Sequence, residues 1–145
     1  YKTGTTLTLR DGMIGRVYVR FVTDAGIDEM QLSGIAVDKK APTKTKIKVN
    51  RSGIKTLKTS TKTSYNKKIK KSAKFVFSAS YGISGKSKTQ YKIVPKGKKA
   101  SKYRWKTANK ITYKKKNKKV SIYARFIDKC GNITQRKSSG FYITK

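Results

Sequence analysis

A chain of 145 residues with 38 Lys or Arg, only 6 Asp or Glu and no His carries a formal charge of +32. The missing His removes the commonest general base and metal ligand, and no Asp or Glu occurs between Lys39 and Ile127, which leaves no paired carboxylates there for hydrolysis. No apolar run reaches the ~18 residues of a membrane span, so a non-enzymatic chain that needs no cofactor or metal is expected.

Tyr 9, Phe 5 and Trp 1 supply large apolar areas to an otherwise lean sequence of mean hydropathy −0.70. Together with Val, Ile and Thr they favour strands. In chain order, Val17, Val19 and Phe21 alternate with Tyr18 and Arg20, a period of two that makes one face apolar. A turn at Asp24-Ala25-Gly26 and a short closing strand at Ile35–Val37 follow. Asp38-Lys39-Lys40-Ala41-Pro42-Thr43 reads as a linker, because Pro42 biases Ala41 towards an extended form. Short strands are then predicted near Lys46–Val49, Lys74–Ser80, Thr89–Val94, Tyr103–Lys106 and Lys110–Tyr113, with Ser60–Lys71 as a basic loop or edge. In the clearest of them Phe75, Phe77 and Ala79 share a face. The last strands are Val120–Phe126, with Ile122 and Ala124 on the apolar side, and Phe141–Ile143. Short strands at this spacing predict an antiparallel two-sheet sandwich.

Two segments of the chain resemble each other. Sliding Arg16–Lys39 by 105 places Tyr18 on Tyr123, Arg20 on Arg125, Phe21 on Phe126 and Gly26 on Gly131. One extra residue in the second loop then aligns Ser33-Gly34-Ile35 with Ser139-Gly140-Phe141. Spacing of this length suits tandem small β domains better than a solenoid.

The second unit carries Asp38-x-x-Ala41-Pro42, a Ser/Gly-containing turn at Tyr81–Gly85, Tyr91 in a following strand, Trp105, and Asp128-x-x-Gly131-Asn132 near its end. In that order these resemble the immunoglobulin-like repeats of Gram-positive cell-surface proteins. The resemblance implies an all-β, immunoglobulin-like antiparallel β-sandwich over residues 41–145, preceded in residues 1–40 by the C-terminal strands of a partial repeat. It further implies an extracellular place at a bacterial cell surface or wall, an adhesive or spacer role, other repeats of the same chain as neighbours, and no catalytic residues.

Charge is uneven along the chain. Residues 39–145 hold 34 basic residues and one acid, Asp128, a net of +33, and residues 1–38 hold four basic and five acidic residues, a net of −1. A single Lys run is ordinarily a solvated loop, but a field this large predicts a polyanionic partner. The candidate contacts are Lys67, Lys68, Lys70 and Lys71, then Lys96, Lys98 and Lys99, then Lys114, Lys115, Lys116, Lys118 and Lys119. With 31 Lys to 7 Arg, the field suits non-specific attraction more than bidentate reading of bases. Anionic cell-wall polymers or acidic glycans are therefore the expected partners, and nucleic acid bound by the same patches is the alternative. A third reading makes Tyr91, Tyr103 and Trp105 an aromatic platform for sugar rings, set against Trp105 as core. Cys130, the single cysteine, makes no intrachain disulfide.

Overall fold

The computed structural model describes residues 3–4, 6–49 and 65–144 of the chain. Eleven strands run β1 Ile14–Thr23, β2 Gly26–Ala36, β3 Thr43–Val49, β4 Lys67–Lys70, β5 Ala73–Ser80, β6 Lys86–Pro95, β7 Lys106–Thr107, β8 Lys110–Tyr113, β9 Val120–Asp128, β10 Ile133–Lys137 and β11 Phe141–Thr144. A 3₁₀ turn at Ala100–Lys102 is the one helical element among the described residues. The fold is all-β. Strands β3, β5 and β8 form a three-stranded sheet in the order β3-β5-β8, and the larger sheet runs β4-β11-β9-β6-β7, with β10 also paired to β9. Strands β1 and β2 form a separate antiparallel hairpin.

The two larger sheets close on one core. Ile47 and Val49 of β3, Phe75 and Phe77 of β5 and Tyr113 of β8 meet Ile122, Ala124 and Phe126 of β9 and Phe141 and Ile143 of β11. These are the alternate residues of each strand, since successive side chains point to opposite faces. Phe141 joins the layers: its ring lies 4.9 Å from Phe75 and 5.6 Å, edge-on, from Tyr113. Such aromatic pairs contribute beyond their area, which matters in a domain with few aliphatics.

Several expectations of the sequence change in detail. The closing strand expected at Ile35–Val37 is the end of a continuous β2, bent by a register shift opposite Gly15–Val17 where Gly34 takes φ +72°. The strand expected at Tyr103–Lys106 is instead β7 at Lys106–Thr107: Tyr103 closes the 3₁₀ turn with its N–H donating to Ala100 O, and only Lys106 and Thr107 pair with β6. The sandwich is not wholly antiparallel. The basic stretch Lys67–Lys70 becomes an edge strand running parallel to β11, with Ile69 paired to Ile143 and fully buried. The first part of that stretch, Ser60–Ser64, lies outside the described residues. Where β10 gives way to β11, the buried Ser138 keeps one ladder bond, its N donating to Ile122 O at 2.8 Å, and its Oγ takes the reciprocal one, accepting from Ile122 N at 2.9 Å and donating to Ser139 O at 2.9 Å.

The linker is pinned at one end of the sandwich. The Asp38 carboxylate accepts from Ser84 Oγ at 2.6 Å, Ser84 N at 3.2 Å and Lys40 N at 3.0 Å. Asn132 Nδ2 donates to Asp38 O at 2.6 Å and to Asp128 Oδ2 at 2.9 Å. The Asp-x-x-Ala-Pro, Ser/Gly turn and Asp-x-x-Gly-Asn segments thus meet in one polar joint. Gly82 fits there because a Cβ would come within 2.5 Å of Asp38 Oδ2. The Ser84 hydroxyl, followed by the Lys40 and Ser84 amides, holds the Asp38 carboxyl below its ordinary 3.8. A depressed carboxyl stabilises the fold above its unfolded value and loses that contribution as pH falls through its folded value. Thermal melts should therefore show the joint weakening below about pH 3.8. Asp38→Asn should lower Tm at pH 7 and flatten that part of the acid dependence; an unchanged acid profile would remove Asp38 from this role.

Candidate functional site

All twelve lysines singled out in the sequence are exposed, and the fold gathers them at one end of the sandwich. Strand β4 carries Lys67, Lys68 and Lys70 along β11, paired to Phe141, Tyr142 and Thr144, and Lys71 N donates to Thr144 O at 3.1 Å. On the other side of β11, Lys116 bridges Ile143 and Asn117 N donates to Ile143 O at 2.8 Å. Two strand spacings, about 10 Å, therefore separate the first Lys cluster from the third. The second cluster joins them through Lys96 N, which donates to Lys119 O at 2.9 Å. Lys96 Nζ also stands 5.7 Å from the ring of Tyr65, just ahead of β4. Segments far apart in sequence thus form one basic surface.

The backbone shows that this end is shaped for turns filled by polar residues. Asn117 sits at φ +55°, a conformation Asn tolerates, and Lys71 at φ +61°, where glycine would be the easier residue. The acids lie elsewhere. Asp128 stands opposite Lys86 in the β6–β9 register at the far end of β9, eight residues from Val120 and so roughly 26 Å away. Asp38 sits at that far end in the joint, and Asp11 Oδ1 accepts from Lys39 N at 2.8 Å. Asp28 and Glu29 belong to β2.

Two further basic surfaces emerge from strand alternation. Lys46 and Lys48 of β3, Lys74 of β5 and Lys110 of β8 are exposed, and their core-facing neighbours Ile47, Val49 and Phe75 are buried. Lysine at every second position marks a charged sheet face as surely as a continuous run does. The outer face of the larger sheet carries Gln90 and Lys92 opposite Arg125 and Tyr123, with Gln135 and Lys137 alongside on β10. Trp105 packs here: Lys92 Nζ lies 4.5 Å and Arg125 Cζ 4.6 Å from its ring, and Gln90 Oε1 accepts from Arg125 Nε at 2.7 Å. Lys92 and Lys137 also approach the Tyr123 ring, at 5.8 and 5.6 Å. These are cation–π distances.

The three aromatic candidates do not share a surface. Tyr91 turns to the inner side of β6 and stacks on Phe77 at 5.8 Å, packed against the core. Tyr103 is half-buried and ends the 3₁₀ turn, donating its N–H to Ala100 O. Trp105 is half-buried outside the core, so its reading as core is corrected: cationic side chains cover its ring in place of the opposite sheet. Comparison with protein-family models, curated proteins and solved structures found no match.

Proposed function

We propose that the chain is a non-catalytic, immunoglobulin-like module of a bacterial surface protein, adhesive or spacing in role, whose Lys-rich end binds anionic cell-wall polymers or acidic glycans. The observation that carries this reading is the meeting of three exposed Lys clusters at one end of the sandwich, on the side away from Asp38 and Asp128. Charged edge strands also prevent edge-to-edge pairing, which accounts for lysines on β4 alone. Edge protection does not call for Lys98, Lys99, Lys118 and Lys119, which lie in turns beside it.

Lysine is a flexible, strongly hydrated point charge, suited to a polymer whose phosphates or carboxylates are irregularly spaced. The partner is therefore expected to be held through charge density more than through a unique sequence. Isothermal titration at 50 mM salt tests this with poly(glycerol phosphate), heparin, duplex DNA and a neutral glucan. Binding of poly(glycerol phosphate) or heparin at least as tight as DNA of equal charge supports the reading. Binding of DNA alone favours the nucleic-acid alternative, and binding of the neutral glucan alone would overturn both.

A further inference from the structure

The β1–β2 hairpin repeats the β9–β10 hairpin at the level of hydrogen-bonded register. Adding 105 to β1 and 106 to β2 carries Tyr18–Gln31 onto Tyr123–Lys137, Phe21–Asp28 onto Phe126–Thr134, and Val22–Ile27 onto Ile127–Ile133. The irregularity repeats as well. Gly15 pairs with Ile35 past the bulge at Ser33-Gly34, and Val120 pairs with Phe141 past Ser139-Gly140. A slip of one residue would turn each strand over, so agreement of register and bulge, with Val17, Val19 and Phe21 at the positions of Ile122, Ala124 and Phe126, specifies one inward face for both hairpins.

In the second unit that face is dry. Ile122, Ala124, Phe126, Phe141 and Ile143 are all 0% exposed beneath the β3-β5-β8 sheet. Their counterparts Val17, Val19, Ile35 and Val37 are only half-buried, and Phe21 is 53% exposed. Of the eleven exposed large hydrophobics among the described residues, seven lie on the hairpin, and three of them, Phe21, Met30 and Leu32, share the face of Val17 and Val19. The hairpin makes no extensive contact with the sandwich strands; the ties at the joint are polar, as between Cys130 Sγ and Ala36 O. A two-stranded ribbon is marginal alone, and an apolar surface gathered on one element marks a missing partner.

We infer that β1 and β2 are the closing hairpin of a preceding unit of the same polypeptide, and that their apolar face docks on a three-stranded sheet of the β3-β5-β8 kind, supplied by chain N-terminal to Tyr1. A second copy of this chain does not offer that sheet, because its own β9 and β11 already cover it. The polar joint around Asp38 is then the connection between consecutive units, holding the chain as it leaves one sandwich and enters the next. This inference stands apart from the ligand proposal.

The test compares the 145-residue chain with one extended upstream by the preceding ~65 residues of its own gene, because the ~80 residues that lead from Ala41 to β9 in the second unit include the counterparts of residues 1–14. Hydrogen exchange at Val19–Phe21 and Asp28–Met30, with a dye that reports exposed apolar surface, gives the readout. The shorter chain should exchange at these amides within minutes and bind dye. The extended chain should protect them at least a hundredfold and lose the dye signal, and Phe21→Asp in it should restore fast exchange there while β9 stays protected. Unchanged exchange in the extended chain would overturn the inference. So would a stable dimer of the shorter chain that buries the hairpin face.

Discussion

Phe126→Ala is expected to unfold the sandwich under mild conditions, whereas Phe21→Ala, at the matching position of the first hairpin, should leave it intact. Phe126 is 0% exposed on the central strand β9, paired to Thr89 on one side and Thr134 on the other. Truncating a buried Phe removes its transfer energy and leaves a cavity, at a cost of about 3–5 kcal/mol. A domain of this size has about 5–15 kcal/mol in all, and a field of like charges reduces that further. Phe21 is 53% exposed, so its loss should change stability by about 0.5 kcal/mol or less. Urea titration separates the two: Phe126→Ala should lower the midpoint by about 1.5–2.5 M at a slope near 2 kcal/mol/M. Equal shifts for both variants would mean that the two hairpin faces are equally buried, contrary to the packing described above.

The contrast between these residues shows what the sequence can and cannot convey. Alternation in Phe75-Val76-Phe77 and in Val120–Phe126 marks strands and their inward faces, because a period of two is a local property. Whether an inward face meets a partner is not local. Val17-Tyr18-Val19 and Ile122-Tyr123-Ala124 carry the same pattern, and only the presence of β3 and β5 makes the second one core. Strand β4 was legible only as one of two alternatives, a loop or an edge, for a related reason. Lys67-Lys68-Ile69-Lys70 offers one apolar residue, and its extended form comes from pairing with β11. Trp105 misled because a large apolar area does not announce its face. It lies just past the 3₁₀ turn, where Lys92 and Arg125 supply the packing that a core would otherwise give. The Lys clusters were plain as runs; their meeting depends on a parallel edge strand and on the Lys96–Lys119 hydrogen bond.

Replacing Lys98, Lys99, Lys118 and Lys119 with Gln should weaken poly(glycerol phosphate) binding far more than the same change at Lys39, Lys86, Lys88 and Lys129. The four control lysines are also exposed, but they belong to the end of the sandwich that holds Asp38 and Asp128. Both variants lose the same four charges, so an effect of net charge alone would appear equally in each. If all four residues at the Lys-rich end touch phosphates, affinity at 50 mM salt should fall by about three orders of magnitude. The dependence of log K on log salt should flatten by about 3, because each lost contact releases fewer counterions. Salt should act on the two properties of the unmodified protein with opposite signs. Binding weakens by about two to three orders of magnitude between 50 and 200 mM for six contacts at single-strand charge density. The fold itself should become more stable over the same range, as screening relieves repulsion among the lysines. Melting curves recorded beside the titrations therefore distinguish lost binding from lost structure. Equal weakening in the two variants would leave the charge field intact as a cause of attraction and remove the Lys-rich end as its site.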